Sequence, residues 1–320
     1  MKQNEWMPDF FIVGAMKCGT TTLHHMLDHH PGIFIPKNEV FFFDIDDFIQ
    51  HPNFFFGPKS NWQKRDLDLE LPQMLGWYKR FYKDASPGQL CGEDATTYLA
   101  SSRAPARIAH LNPDAKIIIM LRDPAERTHS EYWHLVRHGR AFMNFEETLR
   151  FWPHMLIQRS LYKDQIKRYL QEFPDNQVMF ILLEQLIRSP QRIIESACAF
   201  LNIDYSLIPP AAFQQHSNAG GAPRSLQLSL LRNRLLWTEL DESTINWLPR
   251  PVSNEGVASP VSLSFRTRLI DFLHRNINPT VRKIPPMRAG TRDFLNHYFM
   301  KENAGLDEML NLDLSKYWYR

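Results

Sequence analysis

FFIVGAMKCGTTTLHHMLD, residues 10–28, carries the strongest structural signal in the chain. Four apolar residues, Phe10 to Val13, read as a short buried strand. Gly14, Lys17 and Gly19 form a turn, and Thr20, Thr21 and Thr22 open an amphipathic run through Leu23 to Leu27. A strand that passes through a glycine loop into a helix N-terminus is a phosphate cradle. The helix start offers unpaired backbone N–H groups and the positive end of a dipole. Glycine lets the backbone approach the ligand closely, and Lys17 adds a point charge. In a Walker A loop, G-x-x-x-x-G-K-[ST], lysine follows the second glycine. Here Lys17 precedes Gly19 by two residues, an order that does not fit an ATPase or GTPase loop.

Composition narrows the partners. The 320 residues are 43% hydrophobic and 12% aromatic, enough to bury a full core. A formal net charge of +2 calls for no nucleic-acid surface. Cys18, Cys91 and Cys198 are few, odd in number and far apart, so they make neither a disulfide framework nor a zinc pattern. The polar start MKQNEWMPDF has no secretory apolar region, and no run reaches about 18 apolar residues. The expectation is a soluble cytoplasmic chain with reduced thiols and neither a nucleic-acid nor a membrane partner.

Outward from the cradle, strand and helix signals alternate. The helix Thr20–Asp28 closes at Pro31-Gly32. Gln89–Gly92 reads as a short second strand, and Lys116–Leu121 (KIIIML) as a strand buried on both faces. Asp123-Pro124 supplies an N-cap and N1 proline for a helix to about His138. A helix over Leu161–Glu172, a strand over Gln177–Leu183 and a helix over Pro190–Leu201 follow, with a terminal helix at Arg292–Lys301 and LSKYWYR packing back on the body. The expected fold is α/β and P-loop-like, a three-layer sandwich with a mostly parallel central sheet and helices on both faces. No polar linker divides residues 1–320, which read as a single domain. Within it, 205–280 is rich in Pro, Gly, Asn and Ser between short helical pieces, and is expected to be a loop-rich cap over the active site.

Arg122 falls at the C-terminal edge of the KIIIML strand, where open α/β sheets bind ligands, and Ser130 lies on the next helix. A guanidinium and a hydroxyl suit a second phosphate. The order Gly14-Ala-Met-Lys17-Cys-Gly19-Thr20-Thr21 resembles the 5′-phosphosulfate loop of sulfotransferases that use 3′-phosphoadenosine 5′-phosphosulfate (PAPS). LRDPAERTHSEYWH, from Leu121, resembles the 3′-phosphate motif of that family. Pro36-Lys37-Asn38-Glu39-Val40-Phe41-Phe42-Phe43-Asp44 resembles the K-E-x-x-F-F-D stretch of its glycosaminoglycan-type branch, whose glutamate is the general base. The apolar run after Glu39 would raise its pKa by desolvation. His24, His25, His29 and His30 are rival bases. Cys91 to Tyr98 occupies the place of an E-K-x-x-x-Y stretch, but Asp94 stands where the lysine would be, which points away from a glycan acceptor. Arg159-Ser160-Leu161-Tyr162 resembles the R-S-x-Y helix start near the acceptor cleft, or is an ordinary capped helix. Arg282-Lys283 occupies the place of a K-G-R loop over the nucleotide phosphates, without its glycine.

The resemblance implies in-line transfer of a sulfuryl group from PAPS, leaving adenosine 3′,5′-bisphosphate (PAP), to a hydroxyl or an amine or guanidine nitrogen of a small-molecule acceptor. Lys17 would bind the sulfuryl group and the bridging oxygen. The amides of Cys18, Gly19, Thr20, Thr21 and Thr22 would hold the 5′-phosphate. Arg122 and Ser130 would hold the 3′-phosphate, Arg282 and Lys283 would close over it, and Glu39 would deprotonate the acceptor. No metal is expected. Phe41 to Phe43, Phe54 to Phe56, Trp62 and Trp77 are either an acceptor wall or plain core. Three alternatives stay open: a P-loop-type nucleotide kinase with a divergent loop, a glycan O-sulfotransferase, and a non-catalytic binder that kept the cradle.

Overall fold

The computed structural model describes residues 6–55, 64, 66–213, 220–245, 264–281 and 283–319. They group into two compact units, 6–122 with 163–213, and 123–162 with 220–245 and 264–319. The first unit is built on a five-stranded sheet in the order β2-β3-β1-β4-β5. The strands are β1 (Phe10–Gly14), β2 (Ile33–Phe34), β3 (Leu90–Asp94), β4 (Lys116–Leu121) and β5 (Val178–Leu182). Every pairing is parallel.

Burial explains the central strands. All five residues of β1 and the last five of β4 are buried, as parallel strands covered on both faces require. Helices surround the sheet, among them α1 (Thr20–Asp28), which buries Thr20, Leu23, His24, Met26 and Leu27. That is the i, i+3, i+4, i+7 face of an amphipathic helix. The fold is the P-loop-like α/β arrangement expected.

Two expectations are corrected. The strand expected second is third in the chain, because the two-residue strand Ile33–Phe34 pairs with it first. Two residues are too short for any periodicity to show. β3 also runs on to Asp94, past Gly92, because its acidic side chains find partners inside the protein.

The second unit holds the helices Pro124–Arg137, Phe145–Phe151, Pro153–Ile157, Leu226–Ile245, Phe265–Ile277 and Ala289–Glu302, with an antiparallel pair of two-residue strands, β6 (Ala222–Pro223) and β7 (Thr280–Val281). The short helical pieces expected in 205–280 are thus two full helices, joined by Arg232–Asp271 (3.2 Å) and Ser229–His274 (3.3 Å) contacts. Pro209-Pro210 and Gly220-Gly221-Ala222-Pro223, which suggested loops, fall outside these helices, while Asn233 and Asn276 lie within them.

Candidate active site

β1 ends at Gly14, whose φ of +126° few residues other than glycine adopt. A Cβ there would lie 2.7 Å from the carbonyl oxygen of Thr96, so the chain needs glycine for room as well as for conformation. The Ala15 N–H then bonds the Met120 carbonyl of β4 (2.6 Å) and the Cys18 N–H bonds the Ala15 carbonyl (3.2 Å), which curls the loop. Lys17 is left-handed (φ +69°) and half-buried. Gly19, also left-handed (φ +89°), caps α1 with no side-chain acceptor, and a Cβ on it would reach within 2.6 Å of Leu183 Cδ1. The helix therefore opens on backbone alone, in the form that binds anions. Around it Cys18 and Thr20 are buried, Thr22 is half-buried and Thr21 is exposed.

Glu39 lies in the segment after β2, and its Oε1 accepts the Thr96 N–H at 2.9 Å. Thr96 thus touches both the cradle, through its carbonyl at Gly14, and Glu39, through its amide. Glu39 as a residue is partly exposed, while its carboxyl end is enclosed; burial first, and the Asp94 charge second, push its pKa up to about 7. Two residues on, Phe41 is left-handed (φ +57°), uncommon for a bulky side chain, and its ring lies 4.8 Å from that of His51. Phe42 stacks on Tyr78 (4.2 Å) and Phe43 meets Tyr98 edge-on (5.7 Å), both fully buried, so these two rings are core. Trp77 is core as well, against Phe81. Trp62 and Phe56 lie outside the described residues.

Of the four rival histidines, His25 is exposed and His29 bonds the His25 carbonyl. His30 is structural: its Nδ1 accepts the Gly32 N–H and its Nε2 bonds the Asp204 carbonyl, both at 3.0 Å. His24 alone faces a carboxylate, Asp94 Oδ2 at 3.4 Å from its Nδ1.

Arg122 follows β4 in the first unit, half-buried. Ser130, half-buried on the helix Pro124–Arg137, and the exposed Lys283 belong to the second unit. Arg282 lies outside the described residues. Asp123 caps its helix through Oδ1 to the Glu126 N–H (2.9 Å), and its Oδ2 accepts the Tyr319 N–H (2.8 Å). The R-S-x-Y segment is a clasp inside the second unit. Ser160 Oγ accepts from Arg127 Nε (2.6 Å) and donates to the Pro124 carbonyl (3.1 Å), while the Tyr162 N–H bonds Asn303 (2.8 Å).

Sequence reasoning missed a buried polar group beside Glu39. Glu93 accepts the hydroxyls of Tyr98 (2.6 Å) and Tyr78, and burial pushes its pKa up to about 8. Asp44 Oδ1 bonds His51 Nε2 at 2.8 Å. The Cys91–Tyr98 stretch and His24 stood out in the sequence, whereas nothing local pointed to Tyr78 or His51. Among the described residues no cluster has the makings of a metal site, and no helix is long and apolar enough to cross a membrane.

A profile described as "Sulfotransferase family" matches residues 8–206. Bifunctional heparan sulfate N-deacetylase/N-sulfotransferase 3 of Homo sapiens is 25% identical over 322 residues, 95% of this chain and 30% of the relative. Heparan sulfate glucosamine 3-O-sulfotransferase 5 of Mus musculus is 25% identical over 244 residues, 72% of this chain and 62% of the relative. The chain thus spans less than two thirds of the length of these curated relatives. A crystal structure of a sulfotransferase from Alicyclobacillus acidocaldarius aligns with a TM-score of 0.61 at 26% identity, over 98% of this chain and 99% of that one.

Proposed function

Because the chain belongs to the sulfotransferase family, we propose that it transfers a sulfuryl group from PAPS to a hydroxyl or an amine or guanidine nitrogen of a small-molecule acceptor, as one catalytic domain. The observation that carries this reading is Thr96, whose carbonyl occupies the space a Cβ on Gly14 of the cradle would need and whose amide goes to Glu39. A cradle for the donor and a carboxylate near neutral pKa are tied through one residue, the pairing that group transfer to a protic nucleophile needs.

The cradle fits the donor on its own terms: a glycine N-cap without a side-chain acceptor, where any Cβ would intrude. Bound PAPS supplies the sulfuryl group and a phosphate leaving group. The amides of Gly19, Thr20 and Thr21, with the Thr20 and Thr21 hydroxyls, bind the 5′-phosphate, since the Cys18 and Thr22 N–H groups already serve the Ala15 and Gly19 carbonyls, and Lys17 Nζ balances the charge that builds on the bridging oxygen. Arg122 binds the 3′-phosphate, and Ser130, Arg282 and Lys283 are assigned to the phosphates as well. Glu39 takes the acceptor proton as the new bond to sulfur forms. Asp94 supports a small molecule over a polyanionic glycan, since its carboxylate repels sulfate and uronate groups. Free thiols at Cys18, Cys91 and Cys198 support a reducing, cytoplasmic setting. The kinase alternative loses its metal ligand, since Asp123 is committed to its helix cap and to Tyr319.

Thermal stabilisation by PAP, against ADP and ATP with Mg²⁺, tests the reading in wild type and Arg122→Ala. A ligand at a hundred times its Kd stabilises by about 2.7 kcal/mol. Stabilisation by PAP and its loss in Arg122→Ala is the expected result. Stabilisation by ATP with Mg²⁺ and not by PAP overturns it.

A further inference from the structure

Around the C-terminal end of β3 the protein leaves carboxylate oxygens unsatisfied. Asp94 is 7% exposed; its Oδ2 faces His24 and its Oδ1 has no hydrogen-bond partner. Asp44, fully buried, repeats the pattern, with Oδ1 on His51 and Oδ2 unpartnered. Neither carboxylate has a lysine or arginine in an ion pair among the described residues; their partners are the two histidines. Arg168 turns its Nη2 to the carbonyls of Leu99 and Ala100, both at 3.3 Å, and its buried Nε has no hydrogen-bond partner. Glu93 is different, because its two phenol partners satisfy it.

A buried acceptor without a donor is destabilising, and more so when it is charged. Native chains carry few such atoms, and each calls for an explanation. Position supplies one. Asp94 sits opposite Ile12 of β1 in the sheet register, so the strand that leads into the cradle runs beside it. It stands two residues before Thr96, which holds Glu39, and His24 ties it to α1, the helix that the cradle opens. A cation on Asp94 is therefore next to both the base and the donor loop.

We propose that Asp94 is the specificity-determining counter-charge of the acceptor site: its free Oδ1 receives the ammonium or guanidinium group of a cationic small molecule. The charged group is the anchor, and a hydroxyl or neutral nitrogen elsewhere in the same molecule is the nucleophile. This rests on the sulfotransferase reading and narrows its acceptor to cations.

Three probes with one nucleophile and three anchors test it on the PAP-saturated enzyme: 4-aminobutan-1-ol, butane-1,4-diol and 4-hydroxybutyrate. The amino alcohol is expected to raise the melting temperature, with the diol weaker and the carboxylate without effect. Asp94→Asn is expected to weaken the amino alcohol at least tenfold and leave the diol unchanged. If this variant fails to bind PAP, the ranking of the probes on wild type decides alone. Equal or better binding of the diol or the carboxylate, no response to the amino alcohol, or an unchanged amino alcohol affinity in Asp94→Asn overturns the proposal. Failure of PAP itself to stabilise the protein would instead strike the sulfotransferase reading, so the two failures are distinguishable.

Discussion

Glu39→Gln keeps a carbonyl oxygen for the Thr96 N–H and removes only the charge. Its consequences for stability and for turnover run in opposite directions. Below pH 4.5 the glutamate is protonated in the folded and the unfolded chain and contributes nothing. Between 4.5 and about 7 the unfolded chain releases the proton while the folded one holds it, so stability falls as pH rises, and above about 7 the loss is complete. A rise from 4.5 to about 7 corresponds to a loss on the order of 3 kcal/mol. The glutamine variant is free of this penalty. Urea denaturation of both proteins without ligand, at pH 5.5 and pH 8, should show the variant gaining on wild type by about 2 kcal/mol between the two pH values. Turnover should fall by about 10²–10⁴, the usual worth of a positioned base, and the acid limb of the wild-type pH–rate profile should rise through about pH 7. A variant no more stable than wild type at pH 8, or one that keeps its turnover, would refute the reasoning.

Two further substitutions probe the cradle and the second unit. Gly14→Ala puts a methyl 2.7 Å from the Thr96 carbonyl at a φ of +126°, and should cost more than about 2 kcal/mol in urea denaturation. Because Thr96 also holds Glu39, the acid limb of the pH–rate profile should shift in any folded fraction; an unchanged profile with full stability would break the proposed link. Arg127→Ala removes the partner of Ser160 Oγ and the Leu156 carbonyl, and leaves the buried Glu131 carboxylate without its neighbour at 3.7 Å. A loss of about 3–5 kcal/mol is expected, read as a lower urea midpoint, and a change below 1 kcal/mol would contradict the clasp.

What could be read from the chain divides along a physical line. The cradle is local: thirteen consecutive residues from Phe10 to Thr22 encode strand, turn and helix start, and glycine is demanded by φ at Gly14 and Gly19. Lys116–Leu121 and Pro190–Leu201 were legible to the residue for the same reason, since an unbroken apolar run and a proline start fix them without help from elsewhere. β2 was not legible, because a two-residue strand exists only through its pairing with β3. The helices in 205–280 were hidden by averaging composition over the whole window, Pro and Gly included. Asp123 was read correctly as a cap, but its second oxygen, bonded to the Tyr319 amide 196 residues away, left no local trace.

The neighbourhood of Glu39 was legible only in part, since Glu39, His24 and Asp94 stood out in the sequence while His51 and Tyr78 did not. Its groups come from four separate segments: His24 from α1, Glu39, Asp44 and His51 from the loop after β2, Tyr78 from the helix Leu67–Lys79, and Glu93, Asp94 and Tyr98 from β3 and the turn beyond it. His51 and Tyr78 are ordinary in their own stretches, and the parallel register of β3 beside β1 sets Asp94 against the strand that leads into the cradle. Phosphate binding uses backbone groups, which any sequence must arrange through a short run of glycine and cap residues. Acceptor choice uses side chains, which can be supplied from any element that reaches the sheet edge. On the proposed reading, acceptor choice varies with side chains such as Asp94, while the backbone of the cradle stays the same.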